Sequence, residues 1–157
     1  MKKSWQCEYF TKHILNTTEH NKHISELENL LINCKYLDGL VINTGALYKS
    51  DFNHLFEILT KSSPNSLYKF KFSYIWTLKL DILELFFNNW KNRHPILLQT
   101  TPRDKFYTNI HHEIKDLSNK YKEKGIIKMY DINLNYDDFE WIQKIWWLII
   151  ALLKKFI

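Results

Sequence analysis

The sequence predicts an α/β chain built as a short solenoid of about four helix–strand units with a parallel sheet, closed by an apolar C-terminal helix. Three observations predict it. Helical periodicity gives way four times to a short strand-like run. Those runs return at nearly constant spacing. Only three Gly and three Pro occur in 157 residues, too few for a sheet of many tight hairpins.

The first unit begins at Ile24, where Leu27, Leu30, Leu31 and Cys34 share one helix face; Gly39 then opens the strand Leu40-Val41-Ile42-Asn43. In the second, Ser50 can cap a helix that buries Phe52, Leu55, Phe56 and Leu59. Ser62-Ser63-Pro64-Asn65 ends that helix, and Tyr68 to Ser73 alternates as a strand. A third helix carries Leu80, Leu83, Phe86, Phe87 and Trp90, with Pro95 as breaker before Ile96-Leu97-Leu98-Gln99. The fourth runs through Ile110, Ile114, Leu117 and Tyr121, stops at Gly125 and yields Ile126 to Tyr130.

With Leu40, Phe70, Leu98 and Ile127 as equivalent positions, the steps are 30, 28 and 29 residues. That spacing is within or just beside the ~20–29 residues of leucine-rich repeats, which place a strand on the concave side and a helix on the convex side. One such unit cannot cover its own apolar face, so stacking supplies the core. Ankyrin and tetratricopeptide units are helix pairs and fit less well. A doubly wound sheet calls for a glycine-rich ligand turn, and the sequence holds none. The boundaries follow: residues 1–23 form an N-terminal helical or capping segment, 24–139 the solenoid, and 140–157 the apolar C-terminal helix.

Composition sets the broad class. A hydrophobic fraction of 45% with aromatics at 16% implies a folded chain of one domain. The net charge of +5 comes from lysine, since Arg93 and Arg103 are the only arginines, so no nucleic-acid partner is expected. Cys7 and Cys34 stand in no metal-ligand spacing and give no disulfide framework; Cys34 reads as a small buried hydrophobe. The basic start of the chain lacks the apolar core of a secretory signal, which places the protein in the cytoplasm or nucleus.

Segments Asn33-Cys34-Lys35-Tyr36-Leu37-Asp38-Gly39-Leu40, Leu59-Thr60-Lys61-Ser62-Ser63-Pro64, Phe86 to Arg93, and Lys120 to Lys128 together resemble the C-terminal repeats of a large fungal family of F-box and leucine-rich-repeat-like proteins. The resemblance covers roughly Ile24 to Phe139. It implies a substrate receptor, in which an F-box docks on a ubiquitin-ligase scaffold and the repeats hold the protein to be modified. The stretch before Ile24 is too short for an F-box and lacks its leucine–proline opening, so the chain corresponds to the repeat half. Only Asn43 and Asn133 are placed like the asparagines of the repeat consensus.

Motifs for catalysis are thin. His111-His112-Glu113 are adjacent on a helix and diverge by about a quarter turn per residue, so they do not converge on one ion, and HExxH is absent. The default for that trio is a solvated helix face. His13, His20 and His23 have no Cys or Asp at metal spacing, and Asp137-Asp138 with Glu140 lack a glycine-turned calcium loop. No P-loop, GxGxxG or GxSxG motif occurs. No enzyme activity, cofactor or metal is therefore expected.

Strand parity gives the candidate binding face. With Phe70 and Phe72 turned into the core, Lys69, Lys71 and Ser73 point to the concave side, and the same parity adds Asn43, Gln99, Lys128 and Tyr130. A face holding Lys69, Lys71 and Lys128 suits an acidic segment of a protein partner, with the chain itself a monomer. The tail offers another contact. Its apolar run Ile145 to Leu153 is nine residues long, short of the ~20 a membrane span needs. It can cap the last repeat, or lie on a membrane through Trp146 and Trp147 with Lys154 and Lys155 near anionic lipid. Three classes of function stay open: a protein-binding module, a peripheral or tail-anchored membrane protein, and an enzyme with a scattered site.

Overall fold

In a computed structural model of the chain, residues 12–14, 20–43, 49–73, 78–101 and 108–132 are described. They form β1 (Lys12–Ile14), α1 (His20–Asn33), β2 (Gly39–Asn43), α2 (Lys49–Ser62), β3 (Lys69–Ser73), α3 (Leu80–Asn89), β4 (Ile96–Thr101), α4 (Thr108–Glu123) and β5 (Ile127–Ile132). Helix and strand alternate, and the five strands pair in parallel in chain order, β1-β2-β3-β4-β5. A parallel pair needs a crossover, and here each described crossover contains one helix.

The helix faces read from periodicity are the buried ones. Leu27, Leu31, Phe52, Leu55, Phe56, Leu59, Leu83, Phe86, Phe87, Ile114 and Tyr121 all lie in one apolar core with Leu40, Phe70 and Leu98 of the sheet. Successive helices touch in order, α1 to α2, α2 to α3 and α3 to α4. Aromatic rings join the layers: Phe56 stacks on Phe86 at 4.8 Å, and Phe70 meets the Trp90 ring edge-on at 5.4 Å. Trp90 is fully buried, and its indole N–H donates to the His94 carbonyl at 3.0 Å, so the largest core side chain leaves no polar atom stranded.

Helix α4 ends where Gly125 takes φ +76°, a conformation open to glycine at little cost. The Ile126 N–H donates to the Tyr121 carbonyl and the Gly125 N–H to that of Lys122, both at 3.0 Å, a Schellman closure that turns the chain into β5. Adjacent units are also laced at their turns. The Ser66 hydroxyl donates to the Leu37 carbonyl at 2.7 Å, and Arg93 donates to the Ser63 carbonyl at 3.2 Å.

Several details differ from what the sequence predicts. Lys12–Ile14 adds a strand beside β2 inside the segment read as helical or capping. The register confirms Leu40, Phe70 and Leu98 as equivalents, but Leu98 pairs with Tyr130 rather than Ile127. The cause is an irregularity between Ile96 and Leu97, whose partners Ile127 and Met129 skip Lys128. Cys34 is buried as expected yet disulfide-bonded rather than a free thiol; Cys7, the other cysteine of the chain, lies outside the described residues.

The sheet face turned away from the helices is not the open concave surface expected. Val41, Lys69, Lys71, Gln99 and Thr101 share that side by strand parity, and their exposures are 6%, 4%, 0%, 0% and 0%. A parallel sheet is stable with both faces covered, and this one follows the rule at β2, β3 and β4.

Candidate functional site

The candidate concave-face residues separate in the structure. Lys69 is buried and its ammonium is 3.1 Å from Asp38, whose side chain is 39% exposed, while the Tyr68 ring lies 5.2 Å away. Asp38 also accepts the backbone N–H groups of Tyr68 and Lys69 on its carbonyl, so the pair staples the entry of β3 to the turn before β2. Lys71 and Gln99 are neighbours across β3 and β4 and fully buried. Asn43 ends β2 in register with Ser73. Lys128 is exposed. Trp146, Trp147, Lys154 and Lys155 lie outside the described residues.

Tyr130 corrects the parity argument. The skipped residue turns its ring toward the helices, where its hydroxyl is 2.7 Å from that of Thr100. Burial pushes its phenol up to about 12. Thr100 in turn stands 2.9 Å from Nδ1 of His111 on α4. His111 is 3% exposed, in contrast to the solvated face expected for it, and burial lowers its pKa, with His112 adding a smaller push in the same direction. His112 and Glu113 are exposed, as expected. The signal for the inward turn was present: His111 precedes Ile114 by three residues and Ser118 by seven, the spacing of one helix face. This trio is a structural knot in the α4–sheet layer, and no group of three His, Cys, Asp or Glu side chains gathers to hold a metal among the described residues.

The feature that sequence patterning missed is a groove on the helical side. Phe56, Ile82, Leu85 and Phe86 make its floor between α2 and α3, and Asn53, Glu57, Thr60, Lys61 and Asn89 its rim, around about 540 Å³. Leu85 is 56% exposed although its neighbours Phe86 and Phe87 are buried. Glu57 and Lys61 pair across one helical turn on the rim, and each holds the other charged: the carboxyl is shifted down and the ammonium up. The rim is therefore close to neutral. On periodicity alone Leu85 falls off the face of Leu83 and Phe86, which marks it as exposed but not as part of a groove.

No protein-family model, curated protein or solved structure matches the chain. What the arrangement can do chemically therefore rests on its own geometry: an apolar trough with a polar, self-neutralised rim can bury aliphatic or aromatic side chains presented from a helix.

Proposed function

We propose that the chain is a non-catalytic protein-recognition module whose helix–strand units stack as a short leucine-rich-repeat-like solenoid, and that it takes an amphipathic helix of a partner protein in the groove between α2 and α3. The observation that carries this reading is the exposed Leu85 beside Phe56, Ile82 and Phe86, an apolar floor facing outward from a well-packed helix layer. Both walls are helices, and a helix laid between them buries apolar residues at i, i+3, i+4 and i+7 spacing while its polar back stays in water. The neutral rim favours such a ligand over an acidic strand, which the buried Lys69 and Lys71 no longer offer to meet. The resemblance to F-box repeat proteins supports a narrower version, the repeat half of a ubiquitin-ligase substrate receptor.

Proximity labelling of the full chain, compared with its Leu85→Lys variant, tests the groove. Ile32→Lys, at a residue of equal exposure on α1, serves as the control. Partners lost with Leu85→Lys, retained with Ile32→Lys, and binding the purified chain through a helix support the proposal. The same partner set from all three chains sinks it. Recovery of a ligase scaffold among those partners carries the receptor version, and its absence leaves a free-standing binder.

A further inference from the structure

Resting on the α2–α3 groove proposed above as a helix site, we infer that the bound helix runs antiparallel to α2 and α3 and begins with acidic residues, which meet a basic mouth at the C-terminal ends of those two helices. Topology sets the direction of the walls. Each of the two helices carries the chain from the end of one parallel strand to the start of the next, so both run the same way and their C-terminal ends share one mouth of the groove.

The groove is short and its mouths differ in charge. From Asn53 to Lys61 the α2 wall covers about 12 Å, the length of roughly two turns of a bound helix. At the N-terminal mouth Lys49 and Asp51 open α2 and Lys79 and Asp81 open α3, so the formal charges cancel. At the C-terminal mouth Glu57 and Lys61 neutralise each other, and two further cations follow. Lys91 is exposed just past the end of α3. Arg93 lies over the Trp90 ring at 4.5 Å and donates to the Ser63 carbonyl just past α2 at 3.2 Å, which holds its charge between the two helix ends. Neither closing turn, 63–68 or 90–95, contains an acidic residue.

Two forces fix the orientation of the ligand. A helix whose N-terminus enters the basic mouth sets its positive dipole end against the carbonyl ends of α2 and α3. Asp or Glu in its first turn steadies that helix and is drawn to Lys91 and Arg93. Laid the other way, it would set carbonyl end against carbonyl end and leave both cations without an anion from the ligand.

The probe is a synthetic amphipathic helix of about four turns with Leu at i, i+3, i+4 and i+7, made with Glu in its first turn and Lys in its last, alongside a second peptide with those charges exchanged. The acidic-first peptide is expected to bind the full chain about fivefold more tightly, and Lys91→Glu to remove that preference. In the unmodified chain, a nitroxide on the first residue of the bound acidic-first peptide is expected to broaden the amide signals of Lys61 and Asn89 more than those of Asn53 and Ile82. Equal affinities, a preference that Lys91→Glu leaves intact, or the opposite broadening pattern overturns the inference; the groove reading then stands if Leu85→Lys abolishes binding of both peptides. Binding by neither peptide, or binding that Leu85→Lys leaves unchanged, overturns both.

Discussion

Thr100 and His111 meet at 2.9 Å inside the α4–sheet layer, a polar bond set among apolar side chains. The Tyr130 hydroxyl lies 2.7 Å from that of Thr100, so the hydroxyl of Thr100 bridges the phenol and the imidazole. Burial opposes charging His111 and lowers its pKa, which favours the neutral imidazole in the folded chain.

A pH dependence follows. Because the folded pKa of His111 is lowered, the unfolded chain takes up the proton first as pH falls below about 6.5. Stability from this group is complete above that value and declines toward the folded pKa, with a slope of at most about 1.4 kcal/mol per pH unit. Urea midpoints measured from pH 7.5 to 5 should fall, and His111→Gln should flatten that decline. An unchanged slope in the variant would assign the acid sensitivity to other groups.

Trp90→Ala should cost about 3–5 kcal/mol, near the upper range for a single core truncation. The indole is fully buried against Phe70 and Phe86 and also loses its bond to the His94 carbonyl. Chemical denaturation measures it. Trp90→Phe should recover more than half of the loss, since most of the effect is packing.

Asp38→Asn should destabilise by about 1–2 kcal/mol, because it leaves the buried Lys69 ammonium facing a neutral amide while Asp38 itself keeps partial access to water. Replacing both, Asp38→Asn with Lys69→Met, should recover part of the loss. A double-mutant cycle on equilibrium unfolding reads the coupling.

Gly125→Ala should cost about 1 kcal/mol, and Gly125→Asn less. A Cβ at this position meets nothing within 4 Å, so the penalty is one of backbone conformation alone, φ being +76°. Thermal melts of the three chains should rank Gly above Asn above Ala.

Much of the fold was legible in the residues. The stripes Phe52-Leu55-Phe56-Leu59 and Leu83-Phe86-Phe87 fixed two helices, the alternation Lys69 to Ser73 fixed β3, and Gly125 marked the end of α4. The site was less legible, for two physical reasons. Alternation says which residues share a sheet face but not whether anything covers it, so Lys69, Lys71 and Gln99 read as open surface. Parity also fails across a skipped residue: nothing near Lys128 announces the irregularity that turns Tyr130 toward His111. A groove such as that around Leu85 depends on the spacing of two helices, which no single-helix pattern contains.

Strand order identical to chain order has an evolutionary corollary. Leu40, Phe70 and Leu98 sit side by side, so excising the 30 residues from Leu40 to Lys69, or duplicating them, joins strand to strand in the same register without rerouting any connection. Such a chain can lengthen or shorten by whole units through simple gene slippage, with every new junction already tested by its neighbours.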